Sequence, residues 1–445
     1  MARYNNNNQP RMEGSMNILQ IQGGRPLMGE VDVAGSKNAA LALLSAVLLV
    51  EGTTVLHNVP NVSDTRIKAQ LLERFGAKIA WHEGSLFIDS THVEIGECDE
   101  ETVRLIRTSF YLLGPLLARV GRAIMPAPGG CKIGQRPVDF HLKGLALLGA
   151  TVEMESGRYV ATTNGLQGAE IYLDFPSAGA TQHLMSSAVL AKGVTVIQNA
   201  AIEPEVTTLA AFLNRCGARI EGAGTSTITI MGVSSLQPSE FRVPSDRLQA
   251  GTYMLAAAIT RGDVTVRGIM PDNQTALANK LREAGAEVLE GPDWVRVIAK
   301  SRLKGIRVKT MPYPGFPTDI QQPMSAVLCL AEGFSFVEET IYESRTGHVG
   351  ELQRMGAKIR VENGRLTLIN GVDKLRGANV EASDLRAGAA LVLAGLAAQG
   401  ETIVRNVHFI DRGYDQFEQC LSSLGASIER VDLTGSDSAG MESTA

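Results

Sequence analysis

The chain has 445 residues, of which 44% are hydrophobic and 20% charged, and its formal net charge is −5 at pH 7. This length predicts two or more domains, and the composition is that of an ordinary soluble globular protein. The negative charge argues against a general affinity for nucleic acid, so an anionic ligand would need a local cluster of arginine and lysine side chains.

Both ends of the sequence are predicted to be disordered. Residues 1–15 contain four consecutive asparagines and lack the apolar segment of a signal peptide, and residues 434–445 are rich in serine, glycine and acidic side chains. The longest mostly apolar run, residues 39–50, is too short to cross a bilayer and predicts a buried helix. The five cysteines show no CxxC spacing, which argues against a disulfide framework and indicates a reducing, cytoplasmic location.

A Gly-Ala pair that follows an amphipathic helix recurs six times along the chain. The interval is about 70 residues each time, which is typical of an internal repeat, and the glycines are Gly76, Gly149, Gly217, Gly285, Gly356 and Gly425. Glycine after a last helical turn predicts a left-handed cap, and a strand follows it. Upstream in most units lies a helix that is apolar nearly all round, which predicts burial in a domain core.

Each unit is predicted to close with a hairpin-like pair, as in residues 364–371 and 378–382. The sixth unit lacks this pair, so we expect the strands within residues 17–33 to complete it. The predicted fold class is α/β, with two similar domains that each contain three repeats around buried helices. The first would be residues 37–244 and the second residues 16–36 plus 245–433, and the two chain crossings predict a cleft with hinge closure.

Residues 126–137 form a distinctive segment around Cys131. Three prolines and three glycines predict a loop, and the neighbouring Lys132 and Arg136 would favour the thiolate and make it reactive. Taken alone, the segment is equally compatible with a surface loop that carries an incidental thiol.

Polar residues recur where a closing strand enters each buried helix, namely at residues 35–38, 107–108, 177–179, 246–247, 318–319 and 384–386. Free N–H groups and the helix dipole favour an anion at such N-termini. For Thr318 and Ser383 taken singly, N-capping is the better interpretation. Six cations at comparable places predict a site for phosphate and carboxylate, and they are Lys37, Arg107, Arg136, Arg345, Arg386 and Arg412.

Asp319 is the best candidate for a general base, because it would be a carboxylate among these cations. The alternative is an acid that only favours the helix dipole. The seven histidines show no metal-binding spacing, and no GxGxxG or P-loop motif opens a helix. We therefore predict neither a metal nor a cofactor.

The motifs together resemble those of the enolpyruvyl transferases over residues 16–432. They occupy residues 35–40, 128–139, 316–319, 384–387 and 410–414. The resemblance implies the enolpyruvyl transferase fold, an inside-out α/β barrel of two domains that each contain three βαβαββ units. It also implies transfer of the enolpyruvyl group of phosphoenolpyruvate to the 3′-hydroxyl of UDP-N-acetylglucosamine, with release of phosphate, as the first committed step of peptidoglycan synthesis.

The resemblance carries residue roles with it. The catalytic residues would be Cys131, Asp319, Lys37 and Arg412, with Cys131 as general acid and Asp319 as base. Phosphoenolpyruvate would bind Lys37, Asn38, Arg136, Arg345, Arg386 and Arg412. UDP-N-acetylglucosamine would bind Asn38, Arg107, Arg136, Pro137, Val138, Asp139, Phe140, Ser177, Ala178, Gly179, Asp319 and Ile341. Asp384 would lie near the tetrahedral intermediate, and the epoxide fosfomycin would alkylate Cys131.

Two alternatives remain at this point. A family member that uses shikimate 3-phosphate shares the fold and the donor, but it lacks the cysteine-bearing loop. A non-catalytic nucleotide-sugar sensor would share only the fold, and it would not need the proton-transfer groups Cys131 and Asp319.

Overall fold

The computed structural model describes residues 17–96, 100–127 and 138–433. The predicted disordered ends lie outside the described residues, and so do Cys131, Lys132, Arg136 and Pro137. Within the described ranges, no helix combines the length and apolarity needed to cross a bilayer.

The first half of the chain contains two N-terminal strands and then three units built from a buried helix, a strand, an outer helix and further strands. The N-terminal strands are β1 (Asn17–Gln22) and β2 (Met28–Asp32). The first unit contains α1 (Lys37–Ala46), β3 (Thr53–His57), α2 (Ser63–Arg74), β4 (Lys78–His82) and β5 (Ser85–Asp89). The second contains α3 (Glu100–Leu105), α4 (Leu113–Val120), β6 (Arg122–Pro126), α5 (Asp139–Leu147), β7 (Thr151–Glu155), β8 (Arg158–Thr162) and β9 (Glu170–Tyr172). The third contains α6 (Ala178–Ala188), β10 (Val194–Gln198), α7 (Pro204–Arg215), β11 (Arg219–Glu221), β12 (Thr227–Met231) and β13 (Glu240–Arg242).

The second half repeats this order three more times. The fourth unit contains α8 (Arg247–Ile259), β14 (Asp263–Arg267), α9 (Thr275–Glu283), β15 (Glu287–Glu290), β16 (Trp294–Ile298) and β17 (Arg307–Lys309). The fifth contains α10 (Thr318–Leu328), β18 (Phe334–Glu338), α11 (Val349–Arg354), β19 (Lys358–Glu362), β20 (Leu366–Asn370) and β21 (Asn379–Glu381). The sixth contains α12 (Leu385–Ala397), β22 (Glu401–Arg405), α13 (Phe417–Ser423) and β23 (Ser427–Asp432). Short 3₁₀ helices occupy Val47–Leu49, Arg107–Leu112, Pro271–Gln274 and Val407–Phe409.

The glycines of the six Gly-Ala pairs adopt the predicted left-handed conformation. Their φ angles lie between +85° and +101°, a region that side chains with a Cβ rarely enter. The cap reverses the chain after each outer helix, so that the next strand packs back on the same unit.

The strand that ends a unit pairs in parallel with the first strand of another unit. This holds for β9 with β10, β13 with β3, β17 with β18, β21 with β22, and β2 with β14. The predicted hairpin-like pair in residues 364–382 is therefore wrong. β20 pairs with β18 and β19, whereas β21 lies in the sheet of β22, where its Val380 is fully buried.

The N-terminal strand β1 completes the sixth unit, as the sequence predicted. It pairs antiparallel with both β22 and β23. The next strand, β2, joins the sheet of the fourth unit instead, which closes the second set of three units into a ring of exchanged strands.

The buried apolar side chains form two clusters. One draws on residues 39–243 and the other on residues 19–33 and 248–424. Helices α8, α10 and α12 pack against one another inside the second cluster. Residues 37–244 and 16–36 plus 245–433 remain our proposed domains.

Candidate active site

The first turn of α1 lies where the two crossings of the chain meet. The crossings pair through an antiparallel bridge between Gly35 and Ser245. The N–H of Lys37 donates to the carboxylate of Asp246 at 3.1 Å, and the same carboxylate caps α8 by accepting two backbone N–H groups. Asp246 thus joins the N-termini of α1 and α8, one from each apolar cluster, and fixes the backbone that carries Lys37 and the partly exposed Asn38.

Asp64 connects two of the predicted donor-binding cations. Its Oδ2 lies 3.4 Å from Nζ of Lys37, and its Oδ1 accepts from Nε of Arg412 at 2.8 Å. Arg412 comes from the turn between β22 and α13, and it also donates to the carbonyl of Leu105 at 2.9 Å. Sequence reasoning missed Asp64, because an acid in the first turn of a helix ordinarily indicates only a favourable helix dipole.

Asp319 lies between two buried arginines. Nη1 of Arg345 is 2.8 Å from Oδ1 of Asp319, and Nη2 of Arg386 is 3.1 Å from Oδ2. Both guanidinium groups are almost fully buried, with exposed fractions of 4% and 3%, whereas the Asp319 side chain keeps 26%. The geometry brings the predicted base and two predicted anion-binding cations into direct contact.

The cations control the charge state of this site. Burial alone would raise the pKa of Asp319, but the charges of Arg345, Arg386 and Lys37 hold it well below its usual range. Burial lowers the pKa of Lys37, the carboxylate of Asp64 opposes that shift, and the nearby Arg386 and Arg412 lower it further. A bound anion would relieve the repulsion among these cations, so the cluster is suited to an anionic ligand.

The buried carboxylate of Glu339 is connected to this cluster through Thr318, whose hydroxyl also accepts from Arg345. Glu339 is 3% exposed, and it accepts from the hydroxyls of Thr310 and Thr318 at 3.0 and 2.8 Å. It also accepts from the N–H groups of Ile341 and Tyr342 at 2.8 and 3.1 Å. Sequence reasoning missed Glu339, because its role depends on partners from three separate segments.

The capping interpretation of Thr318 and Ser383 is wrong. Helix α10 begins at Thr318 itself and has no side-chain cap, because the Thr318 hydroxyl donates to Glu339 and accepts from Arg345 at 2.8 Å. Helix α12 is capped by Asp384, whose carboxylate accepts from two backbone N–H groups and from the hydroxyl of Ser383.

Part of the set expected to bind the nucleotide sugar lies at the start of three helical segments that pack together, namely Arg107, residues 138–140 and residues 177–179. Asn38 and Asp319 lie in the first turns of α1 and α10, and Ile341 follows β18. Arg107 begins a 3₁₀ helix, and Ser177 caps α6 by accepting from a backbone N–H at 3.3 Å. Tyr111 packs on Gly179, because a Cβ added there would lie 2.3 Å from the Tyr111 hydroxyl. A larger residue at this point of α6, which begins at Ala178, would therefore require the Tyr111 side chain to shift.

A buried histidine pair ties α5 to α6. Val138 precedes α5, Asp139 and Phe140 are its first residues, and Nδ1 of His141 lies 3.0 Å from Nδ1 of His183. Nε2 of His183 accepts from a backbone N–H at 3.0 Å, so its other ring nitrogen carries the proton and donates to His141. Burial and the nearby Arg107 lower the pKa of His141 to about 3, so both rings are neutral.

The cysteines within the described residues lack the ionisable, reactive thiol that the sequence predicts for Cys131. Cys216, Cys329 and Cys420 are free thiols, and burial raises the pKa of Cys216 and of Cys329 to about 12. Within the part of the chain that the structure describes, no three His, Cys, Asp or Glu side chains are placed to hold a metal ion.

Comparisons with known proteins show which family the chain is similar to. The family model for EPSP synthase (3-phosphoshikimate 1-carboxyvinyltransferase) matches residues 21–421. UDP-N-acetylglucosamine 1-carboxyvinyltransferase 3 of Symbiobacterium thermophilum is 50% identical over 93% of this chain and 98% of its own length. UDP-N-acetylglucosamine 1-carboxyvinyltransferase 2 of Carboxydothermus hydrogenoformans is also 50% identical, over 94% of this chain and 100% of its own.

Solved structures show the same fold. The enolpyruvyl transferase NikO from Streptomyces tendae is 25% identical and superposes with a TM-score of 0.85, over 94% of this chain and 100% of that one. EPSP synthase from Acinetobacter baumannii is 21% identical with a TM-score of 0.73, over 94% of this chain and 100% of that one, and it supports the fold alone. The chain therefore belongs to the enolpyruvyl transferase family and, within it, to the UDP-N-acetylglucosamine 1-carboxyvinyltransferases.

Proposed function

We propose that this enzyme transfers the enolpyruvyl group of phosphoenolpyruvate to the 3′-hydroxyl of UDP-N-acetylglucosamine and releases phosphate. The observation that carries the proposal is a cluster of four cations and two carboxylates, in which Asp319 pairs with Arg345 and Arg386. Asp64 pairs with Lys37 and Arg412, and Lys37 lies close enough to Asp319 and Arg386 to feel their charges. Such a cluster suits a donor that carries a phosphate and a carboxylate, and a neighbouring carboxylate suits an acceptor that must lose a proton.

The donor would bind the four cations together with Asn38 and Arg136. Arginine holds phosphate and carboxylate in a forked geometry, and four preorganised cations stabilise charge without reorganisation during the reaction. Asp64 would keep Lys37 and Arg412 close together until the donor arrives. This role explains why a buried carboxylate lies beside residues that must bind an anion.

Asp319 would take the proton of the 3′-hydroxyl. In the free enzyme its pKa is far below the usual range, because Arg345, Arg386 and Lys37 stabilise its charged form, so it is a weak base. A donor that engages the same cations would raise the basicity of Asp319. We infer that donor binding activates the base, which links deprotonation of the acceptor to the presence of phosphoenolpyruvate.

Cys131, which lies outside the described residues, would protonate the methylene carbon while the 3′-oxygen adds to the neighbouring carbon. Loss of phosphate and of a proton from the new methyl group would then restore the double bond. The cysteine-bearing segment of residues 126–137 would act as a lid over the cleft, and the thiol would be alkylated by fosfomycin.

The acceptor would contact Asn38, Arg107, Asp319, Ile341, residues 136–140 and residues 177–179. The location would be the cytoplasm, and the reaction would be the first committed step of peptidoglycan synthesis. We expect neither nucleic acid nor membrane as a partner.

The test is phosphate release from phosphoenolpyruvate in the presence of UDP-N-acetylglucosamine, with Asp319→Asn as the inactive control. Release with the UDP-sugar and none with shikimate 3-phosphate is expected. Release with shikimate 3-phosphate alone would assign the other branch of the family, and no release with either would favour a nucleotide-sugar sensor.

A further inference from the structure

Tyr414 is buried next to Arg386, and its hydroxyl has hydrogen-bond partners on two different elements. The residue is 3% exposed. Its oxygen accepts from Nη1 of Arg386 at 3.0 Å and lies 2.8 Å from Oγ1 of Thr252. The Thr252 hydroxyl donates its single proton to the carbonyl of Leu248 at 3.0 Å. The proton shared by Tyr414 and Thr252 therefore belongs to Tyr414.

This direction leaves the Tyr414 oxygen as a pure acceptor toward Arg386. The arginine then has one edge on Tyr414 and the other on Asp319, to which Nε and Nη2 donate at 3.2 and 3.1 Å. The Tyr414 ring lies 5.4 Å from the guanidinium carbon. Because the guanidinium is planar and rigid, contacts on two edges fix its orientation, and with it the geometry of Asp319.

Tyr414 also belongs to the turn that docks on the other apolar cluster. In this turn the carbonyl of Asp411 accepts from the N–H of Ser63 at 3.0 Å, and the carboxylate of Asp415 accepts from the N–H of Asn61 at 2.9 Å. Arg412 binds Asp64 in between. Contacts on both sides of Tyr414 in sequence thus tie its backbone to the entry of α2.

We propose that Tyr414 is a positioning residue, which couples the docking of residues 411–415 on α2 to the orientation of Arg386 and thereby of Asp319. The inference rests on the proposed function, since it assigns Tyr414 a part in the same reaction. Tyr414 touches no reacting atom in this assignment, and it acts through Arg386.

Tyr414→Phe tests the hydroxyl alone, because phenylalanine keeps the ring that packs on Phe417. The loss of a buried hydrogen bond to a charged group is expected to lower kcat about tenfold and to change either KM by less than about twofold. In an Arg386→Lys background the same substitution is expected to lower kcat by less than about twofold, because the two residues act as a unit.

Tyr253→Phe is the matched control. Tyr253 is also fully buried and also packs on Phe417, but its hydroxyl interacts with the thiol of Cys420 rather than with an arginine. This variant is expected to keep the wild-type kcat.

A Tyr414→Phe enzyme with unchanged kcat, or an equal loss of kcat in the presence and absence of Arg386, would overturn the proposal. A double-mutant cycle on urea unfolding measures the same Tyr414–Arg386 coupling without any assay of activity. Failure of the wild-type enzyme to release phosphate would instead overturn the proposed function, and the unfolding cycle would still decide whether Tyr414 holds Arg386.

Discussion

Removal of the Asp319 charge should lower the stability of the second apolar cluster, and bound anions should restore that stability. Asp319→Asn leaves Arg345 and Arg386 buried without their shared counter-charge. Breaking a buried ion pair from one side costs about 3–5 kcal/mol, and the partial exposure of Asp319, 26%, places the expected loss at about 3 kcal/mol. For a domain of this size, that loss corresponds to a decrease of about 1 M in the urea midpoint.

The two tryptophans allow this measurement in one half of the chain. Trp294 lies in β16 of the second cluster, and Trp81 lies in β4 of the first, so a Trp81→Phe background leaves fluorescence from the second cluster alone. Unfolding is followed with and without inorganic phosphate. We expect phosphate to raise the midpoint of Asp319→Asn more than that of its parent, because the anion binds the folded arginines and replaces the missing carboxylate.

Asp263→Asn serves as the control for this experiment. Asp263 forms a 2.7 Å pair with Arg296 in the same cluster and is 24% exposed, but Arg296 is 43% exposed, so loss of the carboxylate leaves no buried charge behind. Pairs of this kind contribute little, so the control should lose far less stability and show no extra response to phosphate. Equal losses in the two variants, or a phosphate response that Asp319→Asn does not enhance, would refute the reasoning.

Three further predictions concern other parts of the site. Cys131→Asp should keep turnover and lose time-dependent inactivation by fosfomycin, and equal sensitivity would contradict the role of the thiol. The folded enzyme keeps His141 neutral, with a pKa lowered from 6.5 to about 3 by burial and Arg107, whereas the unfolded chain binds protons below pH 6.5. The free energy of unfolding should therefore decrease as the pH falls from 6.5 to about 3. The urea midpoint should decrease less steeply over this range in His141→Gln than in the wild type, whereas the exposed His82→Gln should follow the wild type. Glu339→Gln should lower kcat/KM for the UDP-sugar about tenfold, because the carboxylate accepts four hydrogen bonds. Glu338→Gln, at the preceding position, should leave this kcat/KM unchanged in steady-state assays.

Local chemistry was sufficient for the repeat and for the positions of the cations. A glycine in the left-handed cap and an apolar helix near it are dictated by short stretches of chain, so the six caps were predictable. Lys37, Asp319 and Arg386 lie at helix N-termini, and Arg345 and Arg412 lie in turns before outer helices, as expected from the sequence. The family and its fold class were likewise recognisable from the motifs.

Partners distant in sequence could not be predicted in the same way. Nothing near Asp64 distinguishes it from an acid that favours its own helix, yet its carboxylate lies between Lys37 and Arg412, which is 348 residues away. Thr318 was misjudged as a cap because its partner Glu339 comes from another segment. The pairing of β21 with β22 could not be predicted either, because it depends on how the fifth and sixth units pack against each other.

The sequence by itself determined the six helix caps, the buried apolar helices and the charged residues near the helix starts, because these depend on hydrogen bonds and steric limits within a few residues. Only the tertiary structure decided that Asp319 binds two arginines, that Tyr414 holds one of them and that Asp64 joins Lys37 to Arg412. Those contacts depend on how two apolar clusters pack and meet, and the energy of a charge depends on the burial and the neighbours that this packing creates.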